Sequence, residues 1–405
     1  SGQEAANRVV PSGGASVNNI VSDEVKKVEY TAPSSEKTST IFVHPMTRPI
    51  STNTALINTD QQYDAVIVGA GWAGLKAAKT LLDEGITNVL ILEANNYIGG
   101  RSKTVNADGS INVPNPSDVS YNPVDLGSEW LYIEGNNMIH HLKREGYLDK
   151  LDLNDASFQN YFPMKDAPFY VQSQGDDGKV ETKKLDESIV KDLYARVWGG
   201  FELFRKDLLD KEGEQSYHSA IEKYKREKLT NPLDIQYINV VMNHMSIDYV
   251  GRPDELSLTG HGTAVEGLDP THYMSTSGVG YGNTAATFAE KEGLLSYIKL
   301  GAKVTEIDHM DPNNAIISFT SDDGVETKVT AKTVLVTVSL GVLKAGTIKF
   351  IPKLPRKKQN AIDNMGFAVM SKCVMQWHDK NTADIWPDEL YFELMTRDDE
   401  SSNKW

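Results

Sequence analysis

The chain has 405 residues, 40% hydrophobic and 24% charged, enough apolar material for two substantial cores. Its single cysteine, Cys373, excludes an intramolecular disulfide and any cysteine-based metal cluster, so the fold must rest on packing. A formal net charge of −15 disfavours nonspecific binding to nucleic acid or to an anionic membrane and favours a cationic substrate.

Residues 1–60 are rich in Ser, Thr, Asn and Pro and show no sustained periodicity, which predicts a loose N-terminal extension. No signal peptide is visible, but the chain opens Ser1-Gly2 without a methionine, so processing leaves the compartment open between secreted, cytoplasmic and peroxisomal. The densest signal follows, from Tyr63 to Arg101. Ala65 to Val68 reads as a buried strand, and Gly69, Gly71 and Gly74 come at the spacing that turns a strand tightly into a helix. Gly71 keeps side-chain bulk away from a diphosphate, whose charge the first helical N–H groups and the helix dipole stabilise. The helix runs to about Glu84, with Leu75, Ala78, Leu81 and Leu82 on one face, and Gly85 stops it. A second buried strand, Val89 to Leu92, ends at Glu93, about 20 residues past the glycines, where a ribose hydroxyl needs an acceptor. Glycines alone could serve strand-to-helix packing. Strand, helix, second strand and terminal Glu together read as a site for an adenine dinucleotide. Gly99-Gly100-Arg101 would add a guanidinium where the backbone can approach phosphates; a surface turn with a solvated Arg is the alternative.

Asn106 to Pro123 is loop-like, and Val124 to Trp130 predicts a short strand and turn. His140-His141 adjoin on a predicted helix, where neighbouring side chains diverge, and the nine histidines offer no zinc-like spacing. Between about 151 and 260 the pattern is helical: Ile189, Leu193, Val197, Phe201, Phe204 and Leu208 recur every three or four residues, and Ile221, Tyr224 and Lys228 continue such a register. This aromatic stripe reads as core. Asn231-Pro232 has the form of a cap followed by proline at the first helical position, opening a helix toward Tyr249. From Gly278 the elements alternate again. Gly282-Asn283 can cap a helix through Ala285, Phe288 and Ala289; Ile298 to Ile307 reads as one strand. Ala315 to Thr320 and Val325 to Thr330 form a hairpin about Asp323-Gly324, and Lys332 to Val338 is a further buried strand. There is no internal repeat, no usable glycosylation sequon because Pro116 spoils Asn115-Pro116-Ser117, and no apolar run near the ~18 residues of a membrane span.

The Gly99-Gly100-Arg101 triplet after Glu93 resembles the flavin amine oxidase family, and three later segments extend the likeness from Tyr63 to Trp377. Asp125-Leu126-Gly127-Ser128-Glu129-Trp130 is similar to the family's D-L-G-A-x-W, where backbone passes the isoalloxazine and Gly127 would permit the approach. Val334 to Ile362 resembles T-x-P-L-G-V-L-K followed by F-x-P-x-L-P-x-x-K-x-x-A-I, with Ser339 in the place of the family's proline. Gly366 to Trp377 resembles the strand whose lysine holds a water against flavin N5. A lysine flanked by Met370 and Val374 either points to solvent or is deliberately buried, where desolvation favours its neutral amine.

The resemblance implies an α/β protein: a Rossmann-like FAD-binding domain with a discontinuous α+β substrate domain. Residues 61–150 and 276–345 would form the FAD-binding domain, 151–275 and 346–405 the substrate domain, with the chain ending before the family's last FAD-binding segment. It implies FAD as cofactor, held by Gly69, Gly71, Gly74, Glu93, Gly100, Arg101, Leu126, Gly127, Ser128 and Val304. Lys372 becomes the chief catalytic residue. Glu134, nearest the acidic residue that faces the amine in plant polyamine oxidases, matches with a two-residue shift, and Tyr132 is the alternative. The implied reaction is hydride transfer from a polyamine or related secondary amine to flavin N5, with O2 as acceptor giving H2O2 and an imine or aldehyde. An L-amino-acid oxidase, which needs an Arg to clamp the carboxylate, and a non-catalytic flavin-fold binding component are the alternatives. The absence of a basic patch argues against chromatin demethylation and any nucleic-acid partner. The amine, the cleaved carbon and the oligomeric state are not written in the sequence.

Overall fold

The apolar run after Gln62 forms the centre of a seven-stranded mixed sheet. The computed structural model describes residues 26–31, 38–43, 55–106, 109–113, 123–128, 130–132, 144, 169–174, 180–248, 251–260, 273–275, 280–368, 372 and 393–395. The sheet strands are β1 Gln62–Val68, β2 Val89–Leu92, β3 Ile298–Lys299, β4 Ala302–Asp308, β5 Ala315–Ser321, β6 Glu326–Val336 and β7 Lys349–Ile351, in the order β3-β2-β1-β6-β5-β4-β7. β1 runs parallel to both β2 and β6, whereas β4, β5 and β6 form an antiparallel meander.

Both faces of β1 and β2 are covered, which is why they read as continuous apolar runs rather than alternations. Ala65, Ile67, Val89 and Ile91 share a core with Leu75 and Ala78 of α1 (Trp72–Asp83) and with Ala285 and Phe288 of α2 (Tyr281–Lys291). Val66, Val68, Leu90 and Leu92 face the other way, onto Val304, Ile317, Phe319 and Val329 of the meander. The period of two along each strand sorts these side chains between the two layers.

Three expected boundaries shift. The predicted strand Ile298 to Ile307 breaks at Gly301, which takes φ +63°, so β3 pairs with β2 while β4 pairs with β5 and β7. The hairpin at Asp323-Gly324 forms, but the strands expected on either side of Ala331 are one strand. Residues 326–331 of β6 pair with β5 and residues 330–336 pair with β1, so one strand joins the meander to the parallel half. The third shift concerns α2, which starts at Tyr281 after Gly280 (φ +83°), placing Gly282 and Asn283 inside the helix.

The helical region packs a separate core. Steps of four from Leu193 to Phe201 over-run the 3.6-residue turn, and a π-helical turn, Tyr194–Trp198, absorbs the surplus, so Leu193, Val197 and Phe201 stay buried together. Val190, rather than the predicted and exposed Ile189, continues that face. The Tyr224 hydroxyl donates to the Val197 carbonyl at 3.1 Å. Asn231 accepts the Leu233 N–H at 2.9 Å, capping the helix Pro232–Asp248 as its sequence predicts. Within the N-terminal stretch expected to be loose, Lys26–Thr31 and Thr38–Val43 pair as antiparallel strands; Val28, Ile41 and Phe42 supply β propensity that the polar composition conceals. The predicted helix at His140-His141 lies outside the described residues, as does most of the strand expected around Lys372.

A Cβ on Gly74 would overlap the Gly69 carbonyl oxygen and lie 3.1 Å from the Thr337 hydroxyl oxygen, whereas one on Gly85 (φ +80°) meets nothing within 4 Å. Gly74→Ala should therefore destabilise the chain by ~3 kcal/mol through overpacking, against ~1 kcal/mol for Gly85→Ala from backbone conformation alone. Denaturant titrations of the two variants check this, and equal losses would contradict the close approach of α1 to β1.

Candidate functional site

The site is assembled from backbone before side chains enter. At the end of β1, Gly69 takes φ +107°, donates its N–H to the Leu92 carbonyl at 2.8 Å, and lies against Thr337, whose hydroxyl donates to the Val68 carbonyl at 2.8 Å. The carboxyl ends of the parallel strands β1 and β6 meet here, where the connection from β1 leads to β2 and that from β6 leads to β7, in opposite directions across the sheet. That is where open α/β sheets bind ligands.

Gly71 precedes α1 with no capping side chain, and the first turn of α1 carries no acidic residue. The nearest atoms to a Cβ on Gly71 would be the Gly100 Cα and the Gly99 carbonyl oxygen, both at 4.0 Å, so the protein itself leaves the front of this turn clear. Uncapped N–H groups, the positive end of a helix dipole and an open approach fit a diphosphate. Arg101 stands exposed beside these glycines and forms no ion pair among the described residues.

The predicted residues converge through single hydrogen bonds. Glu93, buried at the end of β2, accepts the Ala70 N–H at 2.7 Å on one carboxylate oxygen and the Asn95 backbone and side-chain N–H groups at 2.9 and 2.8 Å on the other. A carboxylate has about four acceptor positions, so three donors leave capacity for a ribose hydroxyl. The Glu93 carbonyl accepts from Ala302, which starts β4, and Val304 is buried two residues further on. Gly99 donates to the Ala70 carbonyl at 2.9 Å and bridges to Gly71, setting Gly100 and Arg101 beside the turn.

Leu126 to Ser128 then run along the Arg101 segment. Leu126 donates to the Lys103 carbonyl at 2.7 Å and Ser128 to the Arg101 carbonyl at 3.2 Å. A Cβ on Gly127 would overlap the Arg101 carbonyl oxygen, so the close packing of these two segments requires a glycine here. Lys372 joins the same segment: its ammonium donates to the carbonyls of Gly127 at 2.7 Å and Asp125 at 3.2 Å. Ten of the predicted residues and Lys372 thus belong to one connected cluster, while Glu134 lies outside the described residues.

Sequence reasoning missed the polar frame behind that cluster. The Asp125 carboxylate accepts the Tyr281 N–H at 2.9 Å at the start of α2, and the Thr104 hydroxyl as well. Thr104 in turn accepts the Gly282 N–H at 2.7 Å. Asn112, wholly buried at φ +48°, accepts the Thr104 N–H at 2.6 Å and donates to the Ser102 and Ile98 carbonyls. Its signal was an Asn between Ile111 and Val113, a polar amide where an apolar residue would ordinarily pack. Trp72 packs on Tyr281 with ring centroids 5.6 Å apart, and burial pushes the Tyr281 phenol up to about 12. Ser339, which replaces a proline of the resembled motif, caps the helix Leu340–Ala345 by accepting the Val342 N–H at 3.4 Å.

The chain belongs to the flavin-containing amine oxidoreductase family, whose sequence profile matches residues 72–404, and the cofactor of that family is FAD. It is similar to probable polyamine oxidase 4 of Arabidopsis thaliana, 27% identical over 78% of this chain and 58% of the relative. It is also similar to lysine-specific histone demethylase 1 homolog 1 of the same plant, 26% identical over 83% of this chain and 36% of the relative. Corticosteroid-binding protein of Candida albicans is 27% identical over 77% of this chain and 60% of that protein. The chain therefore spans little more than half of the first relative and about a third of the second. Near-equal identity to proteins named for a polyamine, a histone and a steroid leaves the substrate open. Among the described residues, no helix is long and apolar enough to cross a membrane.

Because the protein leaves the front of Gly71 clear, Gly71→Ala should keep the unfolding free energy of the FAD-free chain within ~1 kcal/mol while weakening FAD binding at least tenfold, ~1.4 kcal/mol. Denaturant titration and fluorescence titration with FAD measure the two effects. Full FAD affinity in this variant would exclude the turn as the diphosphate site.

Proposed function

We propose that this chain belongs to an FAD-dependent amine oxidase acting on a polyamine or a related secondary amine. In this reading the seven-stranded sheet is a Rossmann-like FAD-binding domain drawn from residues 61–150 and 276–345, and residues 151–275 and 346–405 form a discontinuous substrate domain. The observation that carries it is the placement of the Lys372 ammonium on the Asp125 and Gly127 carbonyls, in the segment bonded to Arg101 beside the Gly71 turn.

The turn at Gly69 to Gly74, with Arg101, would hold the diphosphate; Glu93 would accept a ribose hydroxyl; Val304 would lie along the adenine and Leu126 to Ser128 along the isoalloxazine. Bound there, FAD supplies a two-electron acceptor for hydride from the carbon next to nitrogen, with O2 as the final oxidant giving H2O2 and an imine that water hydrolyses to an aldehyde. Lys372 would hold a water or move a proton beside that segment. The net charge of −15 favours capture of a polycation, and Glu134 is the acidic residue proposed to face it. Because only a deprotonated amine is a good hydride donor, the substrate must lose its proton and its water before it reacts.

With the complete protein under anaerobic conditions, spermine or spermidine should bleach the bound flavin, and peroxide should appear once air is admitted. Leucine or a methylated-lysine peptide doing so in their place would reassign the substrate to the amino-acid oxidase or demethylase class. Lys372→Met should slow flavin reduction or reoxidation by ~10²-fold, the usual scale for a lost acid–base or water-positioning group. Stopped-flow rates unchanged in that variant would remove the role.

A further inference from the structure

One residue joins two parts of the site that the sequence holds far apart. Asp125 offers its carboxylate to the first N–H group of α2 and its backbone carbonyl to Lys372, 247 residues further along the chain. The strand Val124–Asp125 ends there and the chain bends through Leu126 and Gly127, and the carbonyls of Asp125 and Gly127 both accept from the Lys372 amine, a two-pronged acceptor for a single donor group. The direction of that fork depends on how firmly the Asp125 backbone is held. Its carboxylate is fixed on two sides, by the Tyr281 N–H at 2.9 and 3.2 Å and by the Thr104 hydroxyl.

The far side of the clamp is buried and hydrogen-bonded. Thr104 is wholly buried and bonded to both Asn112 and Gly282. Cβ atoms on Gly280 and Gly282 would overlap Thr104 and Asn112, so α2 starts in backbone contact with this polar frame. A carboxylate at the helix N-terminus is also favoured by the dipole. Asp125 thus links α2 and Thr104 to Lys372.

We propose that Asp125 is a positioning residue for Lys372: by locking the 125–127 backbone to α2 and Thr104, it sets where the lysine amine points. The inference rests on the reading of Lys372 as part of the flavin site but is tested apart from it. The probe is trace acetylation of the FAD-loaded protein with acetic anhydride, with the extent at each lysine read by mass spectrometry. Asp125→Ala should raise acetylation of Lys372 by ~10-fold, the factor for losing an ordering hydrogen bond, with exposed lysines such as Lys328 unchanged. Asp125→Asn, which keeps an acceptor for the Tyr281 N–H, should restore protection to within ~2-fold. Should the alanine variant not fold, Thr104→Val removes one side of the clamp and should raise Lys372 labelling ~3-fold. Unchanged Lys372 labelling overturns the proposal, and so does a uniform rise at all lysines, which would mark Asp125 as a general stabiliser. Were spermine to leave the flavin oxidised while the labelling contrast persisted, the substrate reading would fail and the positioning role would stand.

Discussion

Ala70 is hydrogen-bonded on both sides, and the rest of the site hangs from it. Its N–H is taken by the Glu93 carboxylate at 2.7 Å and its carbonyl accepts the Gly99 N–H at 2.9 Å. The first bond ties the glycine turn to the end of β2, and the second ties it to the segment that carries Gly100 and Arg101. From there the Arg101 carbonyl reaches Ser128, and the carbonyls on either side of Leu126 reach Lys372. Backbone groups make most of these links, so the site is positioned by the fold itself rather than by adjustable side chains. The close approaches have a steric condition: at Gly74 and Gly127 a methyl group would collide with a carbonyl oxygen.

This architecture divides the labour between two polar layers. The front, at Gly71 and Arg101, is left open with unspent donors and a positive charge, which suits an anionic cofactor. The back, built from Asn112, Thr104 and Asp125, is closed and satisfied, each buried polar group finding a partner in the start of α2 or in the 98–104 backbone. A satisfied buried network rigidifies its surroundings, whereas an unsatisfied one would be costly. Helix α2 thus joins the core through Ala285 and Phe288 and the site through its N-terminal N–H groups.

Legibility in the sequence followed the range of the interactions. The β1-α1-β2 unit was readable because its causes are local: a fully apolar strand, glycines at fixed spacing, an amphipathic helix and a stopping Gly85. The helix cap at Asn231 was readable for the same reason. The start of α2 was misplaced because its cap comes from Asp125, 156 residues away, and not from Gly282 or Asn283. The continuity of β6 was hidden because the strand changes partners midway, which no periodicity records. Lys372 was reached only by family resemblance; nothing in its neighbours says that it bonds the Gly127 carbonyl. The amine remains the least legible feature, since relatives named for different ligands match this chain almost equally well.

The central claim is that FAD lies with its diphosphate against the Gly71 turn and its ring end toward the 126–128 segment. A crystal structure of the protein grown with FAD tests this most directly. Density for the diphosphate within hydrogen-bond reach of the first α1 N–H groups, with the isoalloxazine beside Lys372, is the predicted result. Ordered FAD lying elsewhere, or a side chain occupying the space in front of Gly71, would contradict the account.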